Sequence, residues 1–367
     1  MLIAGVLSGT SLDGIDVAIC DVTADGARIA VNCRRFATIE FAPELRARIL
    51  AAYPPAPVGA LEISALHARI GEAFGDAVCE IAGDEALDAV ASHGVTIAHD
   101  GAASQTLQIG DAFRIRERTR CTVVYDFRAA DTAAGGTGAP LVPFVDALLF
   151  ADQAPCVALN LGGIANLTVL PEGIAFDSGP ANLPIDTYVA LRSEGALTFD
   201  RDGALAQAGA VAQPLLARML DDPFLRLAPP KSAGREEYGA PFIARWRADL
   251  DRLAFADAVA TLSALTIRSV ADAIRARAPH AKRTIVSGGG AHNPALLAGL
   301  RELLPEIEVV TSARFGISVD AKEAIAFAVL GFAALTGRAA GLPRVTGARA
   351  ARVLGAIAPF ARTEPVT

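Results

Sequence analysis

The chain has 367 residues, 52% hydrophobic and 20% charged, which is enough apolar material for a sizeable core and too much for wholesale disorder. Lysine and arginine number 33 against 40 acidic residues, a net charge of −7, and no basic stripe suggests a nucleic-acid face. At roughly 150 residues per domain, the length predicts about two.

The N-terminus, Met1 to Leu7, lacks a basic leader and turns polar at Ser8, so it reads as a strand rather than a signal peptide. Leu2–Leu7 and Ile15–Val22 are apolar runs around the turn Ser8–Gly14, and a third strand follows over Ala27–Val31. Helical periodicity begins at Pro43–Tyr53. It resumes over Gly59–Ile81, where Leu61, Leu66, Ile70, Phe74, Val78 and Ile81 are assigned to one face. Strands are expected at Ala89–Ala91, Thr106–Ile109 and Cys121–Tyr125, with a helix over Asp111–Thr119. The glycine-rich Gly135–Pro140 stretch is the strongest break, which suggests domains 1–135 and 136–367, with the final helix able to pack back on the first.

The second half repeats the opening theme. Val157–Leu161 and Ile164–Leu170 are apolar runs around Gly162-Gly163, and Ile174–Phe176 leads into Asp177-Ser178-Gly179-Pro180. Helices are expected at Gly203–Gly209, Gln213–Leu220, Pro241–Leu250, Ala256–Ala278, Pro294–Leu304 and Ala321–Leu335. Strands fall at Thr284–Val286 and Glu308–Val310. The apolar stretch Ala324–Leu335 is short of the ~20 residues that a bilayer needs, so its alanines and glycine read as a close-packed core helix. The five cysteines are scattered without a C-x-x-C pair, and the five histidines lack H-x-x-x-H spacing. That argues for reduced thiols in a cytoplasm and against a zinc site. Two α/β halves, each opening on a hairpin, suggest a small-molecule site in the cleft between them.

Four stretches carry candidate chemistry. Ser8-Gly9-Thr10-Ser11-Leu12-Asp13-Gly14 offers amides and hydroxyls to phosphate oxygens, and also suits an ordinary hairpin turn. Asn160–Asn166 repeats that composition around Gly162-Gly163. Asp177, at a strand tip, suits either a general base or, with Ser178, a helix N-cap. Gly288-Gly289-Gly290 leaves room for a flat group beside the backbone, or simply forms a connection capped by Asn293. His93 with Thr96, Arg128, Lys231 and Glu323 are lesser candidates, and a lone histidine such as His93 is more commonly structural.

Taken in order, these stretches are joined by Thr106–Asp111, Asp126-Phe127-Arg128, Gly138–Pro143, Pro229–Glu236 and Glu323–Ala328. Over nearly the whole chain the series resembles the anhydro-N-acetylmuramic acid kinase family. The resemblance implies a two-domain, actin-like α/β fold that binds Mg²⁺-ATP. It implies a reaction that opens the 1,6-anhydro ring with water at C1 and phosphorylates O6, in peptidoglycan recycling. It implies Asp177 as the base and Thr96, Arg128 and Glu323 on the sugar. Gly9, Thr10, Ser11, Leu12, Asp13, Gly14 and Asp16 would form the phosphate hairpin, with Gly162, Gly163, Gly288, Gly289 and Gly290 on the nucleotide side. No residue is assigned to the metal, and a cytoplasmic homodimer is expected. The sequence departs from the family's pattern at Val95, commonly Gln, and at Ala181, commonly Gly. Alternatives are a kinase of another anhydro sugar such as levoglucosan, and a non-catalytic actin-like scaffold.

Overall fold

The computed structural model describes residues 1–361 apart from Thr10, Ser11, Ala27 and Pro55. Its contacts divide the chain into two units, Met1–Leu149 together with the chain from Ala321, and Phe150–Asp320. In the first unit β1 (Leu2–Leu7), β2 (Ile15–Asp25) and β3 (Arg28–Ile39) form an antiparallel meander. β4 (Ala89–Asp100) lies parallel to β1, and β5 (Gln105–Ile109) folds back on its far end. β6 (Thr122–Tyr125) is parallel to β4, and Ala356–Ala358 closes that edge. β1 is buried in the middle as a continuous apolar run, whereas β3 alternates along an exposed edge.

The second unit repeats this arrangement. β7 (Cys156–Leu161), β8 (Ile164–Leu170) and β9 (Ile174–Pro180) form the meander. β10 (Arg283–Ser287) and β11 (Glu308–Thr311) add to β7 in parallel. The order β3-β2-β1-β4-β6 recurs as β9-β8-β7-β10-β11, so each half builds the mixed sheet of the actin-like fold.

Helices cover these sheets through small residues and apolar stripes. Helix Lys322–Leu335 lies so close to β1 that a Cβ on Gly5 would strike the Ala324 carbonyl, and Gly331 rests on Ala91. Helix Ala60–Ala82 buries Leu66, Ile70, Phe74 and Val78, but Leu61 is 88% exposed. Five residues before Leu66, Leu61 sits about 140° around the helix from that stripe, so the sequence assignment of a shared face fails there. Gly135–Pro140, expected as the linker, is embedded in the first unit. Thr137 N–H donates to the Thr346 carbonyl, and Gly138 N–H donates to the buried Asp131 carboxylate. Among the described residues no helix is long and apolar enough to cross a membrane.

Candidate active site

In the first unit, the carboxyl end of β1 lies beside Ser92–Gly94 of the parallel strand β4, and open α/β sheets present ligands at such strand ends. Val6 pairs with Ser92 and Leu7 with Gly94, so His93 is an extra, bulged residue on β4. Such bulges re-aim side chains. Among the described residues, Ser8 Oγ, Ser92 Oγ and His93 Nδ1 are all buried here without a hydrogen-bond partner. An unmet buried polar atom costs about 1–3 kcal/mol, so three together at one strand edge point to a ligand.

His93 is held from its other nitrogen. Arg128 Nε donates to His93 Nε2 at 3.0 Å, which makes Nε2 the acceptor and places the ring proton on Nδ1. Burial, reinforced by the Arg128 charge, drives the imidazole well below its ordinary pKa, and Phe327 stacks 4.6 Å away. Arg128 Nη1 donates to the Gly138 carbonyl at 2.8 Å. Burial pushes this guanidinium down to about 10 against the opposing pull of Glu323 and Asp131, so it remains a cation at neutral pH. Glu323 stands in the first turn of its helix, and Thr96 Oγ1 accepts from Gln108 Nε2 at 3.2 Å.

The β1–β2 turn is anchored beside these groups. Leu12, at φ 55°, buries its side chain in the core, its N–H donates to the Gly9 carbonyl, and its carbonyl accepts from Arg46 Nε. Gly14 packs against Thr38, whose hydroxyl donates to Asp16 Oδ1 at 2.6 Å, while Asp13 is exposed. Thr10 and Ser11, both assigned to phosphate, lie outside the described residues.

In the second unit, β9 runs on through Pro180, past the expected end at Phe176, so Asp177 is a strand residue opposite Asn166. It caps no helix. The next helix starts at Asn182 without a side-chain cap, and Asp177 Oδ2 instead accepts from Ser232 Oγ and Ala233 N–H, each at 2.8 Å. Burial raises the carboxyl above its usual range, opposed by the Ala233 N–H, the Ser232 hydroxyl and the nearby Lys231 charge. Among the described residues, both side-chain partners of Asp177 take Oδ2 and leave Oδ1 for other contacts.

The glycines of this unit cluster at the ends of β7 and β10. The Gly162 carbonyl accepts from Asn182 N–H, and the Gly163 carbonyl accepts from Ala181 and Leu183, which ties the β7–β8 turn to the helix N-terminus. Gly288 has φ 82°, and a Cβ there would come within 2.7 Å of Asn160 Oδ1; Gly290 presses on Leu161 in the same way. Those two glycines are therefore explained by packing alone, whereas a Cβ on Gly289 would make only an ordinary contact with Asn182 Nδ2 at 3.8 Å. Asn293 does cap helix Pro294–Leu303, as the simpler reading of that stretch expected.

The structure thus gathers Arg128, Glu323 and the β1–β2 turn in one unit, and Asp177 with the glycine turns in the other. Sequence reasoning set His93 aside, named Ser8 only within the hairpin stretch, and gave no role to Ser92, Ser232 or Ala233. The Pro-Pro-Lys-Ser stretch was the only signal of the last two. Val95 is fully buried in the core of its unit, and Ala181 adopts φ −123° and ψ −110° directly before helix Asn182–Arg192. Among the described residues no group of three His, Cys, Asp or Glu could hold a metal ion.

Comparison with known proteins bears on the chemistry. A family model for anhydro-N-acetylmuramic acid kinase matches residues 1–360. An anhydro-N-acetylmuramic acid kinase of Rhodococcus erythropolis is 42% identical over 383 residues, covering 100% of this chain and 96% of that protein. The same-named protein of Xanthomonas axonopodis pv. citri is 44% identical over 372 residues, covering 98% of each. Among solved structures, the activator of the 2-hydroxyisocaproyl-CoA dehydratase from Clostridium difficile with bound ADPNP is similar at TM-score 0.42 and 9% identity, covering 90% of this chain and 94% of that one.

Proposed function

The chain belongs to the anhydro-N-acetylmuramic acid kinase family, and from that premise we propose how its residues divide the reaction. The activity is that family's ATP-dependent phosphotransfer to anhydro-N-acetylmuramic acid, the kinase step of peptidoglycan recycling. Asp177 is the general base. Its Oδ1 takes a proton from water, the water oxygen bonds to C1, and the C1–O6 bond breaks. O6 then takes the γ-phosphoryl group, and ADP departs with the bridging electrons of the broken phosphoanhydride. The observation that supports this assignment is the carboxylate itself, raised in pKa by burial yet held by two donors at one oxygen only. A base of that kind is better matched to neutral pH than an ordinary aspartate.

Arg128 is a buried cation suited to the lactyl carboxylate, which favours this sugar over levoglucosan, a substrate without one. Thr96 and Glu323 bind the sugar's polar groups. The hairpin at Gly9–Gly14 with Asp16 binds phosphate oxygens, and Gly162, Gly163 and Gly288–Gly290 border the nucleotide. A Mg²⁺ ion bound with the nucleotide would draw its ligands mainly from phosphate and water oxygens and would need few from the protein. The exposed Asp13 and the half-buried Asp16, which already accepts from Thr38, are the carboxylates of the hairpin that would hold it. When bound, the ion offsets triphosphate charge.

Asp177→Asn is expected to lower sugar-dependent ADP release by at least a thousandfold with little change in sugar KM, measured against anhydro-N-acetylmuramic acid, a lactyl-free analogue and levoglucosan. Full turnover in that variant would remove Asp177 from the base role. We place the enzyme in the cytoplasm, where ATP is available and its five free thiols stay reduced. The exposed Leu191, Leu197 and Phe199 support a homodimer, which light scattering at twice 37.8 kDa would show and a monomer mass would refute.

A further inference from the structure

Resting on the reading of Asp177 as the base, we infer that Lys231–Ala233 is a positioning bracket that selects the catalytic oxygen. Ser232 Oγ and Ala233 N–H both donate to Oδ2 at 2.8 Å, while Asp177 N–H donates back to the Lys231 carbonyl at 3.1 Å. Three consecutive residues therefore grip the backbone and one oxygen of Asp177, across a sequence separation of more than fifty residues. The carboxyl cannot rotate about its Cβ–Cγ bond without losing two charge-assisted hydrogen bonds, so Oδ1 is the oxygen presented to water.

Lys231 anchors the bracket rather than the substrate. Its Nζ donates to the carbonyls of Phe224 and Leu225 at 2.9 and 3.3 Å. The ammonium also lies 4.6 Å from the Phe224 ring and 6.0 Å from that of Phe176, the residue preceding Asp177. Contacts with carbonyls and ring faces hold the cation in place. The segment thus fastens at one end to the Phe224–Leu225 turn and at the other to β9. Its donors also oppose the burial that raises the Asp177 pKa, so loosening it drives that group higher still.

The experiment compares Ser232→Ala, Ser232→Thr and Lys231→Met with Asp177→Asn in the full chain, each checked by thermal melting. Ser232→Ala is expected to lower kcat about tenfold at pH 7, the loss of one hydrogen bond to a charged group, and to move the acid limb of the kcat profile to higher pH. Sugar KM stays within about twofold, and Ser232→Thr, which keeps the hydroxyl, restores both values. Lys231→Met moves the limb in the same direction. If Ser232→Ala keeps the wild-type kcat and acid limb while Asp177→Asn is inactive, the bracket is refuted and the base stands. An active Asp177→Asn would instead overturn the base. Should Lys231→Met fail to fold, the serine pair decides alone.

Discussion

At the scale of single residues, the site depends on side chains whose neighbours set their protonation. His93 is neutral because it is buried against Arg128, whose N–H occupies Nε2. Its folded pKa is depressed, so as pH falls below about 6.5 the unfolded chain binds a proton that the native chain refuses. Stability is therefore lost on acidification, by at most about 1.4 kcal/mol per pH unit for one group. Urea denaturation at pH 7 and pH 5 is expected to show a smaller loss in His93→Gln than in the parent, and an unchanged difference would place His93 elsewhere. Asp177 contributes with the opposite sign, since a raised carboxyl pKa stabilises the fold toward lower pH. Asp177 stands in a motif and so could be singled out as a candidate from the sequence, as could Arg128 and Glu323. His93 was not, because a histidine beside a strand carries no sign that a bulge turns it toward an arginine 35 residues away. Ser232 and Ala233 were hidden for the same reason. Their partner is 55 and 56 residues distant, and only the fold makes them neighbours.

At the scale of elements, the strands with continuous apolar runs were read to the residue, as at Leu2–Leu7 and Ile164–Leu170. Strands that change character were read short. β4 was expected to stop at Ala91, because His93-Gly94 looks like a break, yet the pairing absorbs the extra residue as a bulge and continues to Asp100. Ala356–Ala358 was not foreseen, since three small residues gain their strand character only from pairing with β6. Helix Lys322–Leu335 was legible as an apolar segment, but its anchor was not. Lys322 Nζ donates to Asp146 Oδ1 at 2.9 Å, with the two side chains 2% and 3% exposed, so the start of this helix is pinned to helix Val142–Phe150. A buried pair adds little over an apolar substitute, but breaking it strands a charge. Lys322→Met is expected to cost about 3–5 kcal/mol in chemical denaturation, and Lys322→Met with Asp146→Leu to recover most of it. A single variant as stable as the parent would show that Asp146 tolerates the loss of its cation.

At the scale of the molecule, the repeat of one sheet order in both halves was visible as two glycine-bearing hairpins followed by alternating helices and strands. The division was less visible, because glycines and prolines mark tight turns as readily as linkers. Gly135–Pro140 is held by Asp131 and Thr346, and the chain instead passes between units after Leu149, inside an apolar segment, and again at Ala321. Each unit closes its own core. One contains Ile70, Phe74, Val90 and Val123, the other Leu159, Tyr188, Leu262 and Leu296, and no residue is shared. Separate cores predict separable local stabilities. In the Lys322→Met chain, hydrogen exchange should therefore quicken in β1, β4, β6 and helix Lys322–Leu335, while amides of β7, β8 and β10 keep the parent's protection. If the lost energy is confined to the first core, protection falls there by the measured loss in stability, and the glycine turns of the second unit, which we propose border the nucleotide, keep the parent's protection. Equal acceleration in both sheets would mean that the chain opens as one cooperative body, and that the buried Lys322–Asp146 pair stabilises both halves of the repeat together.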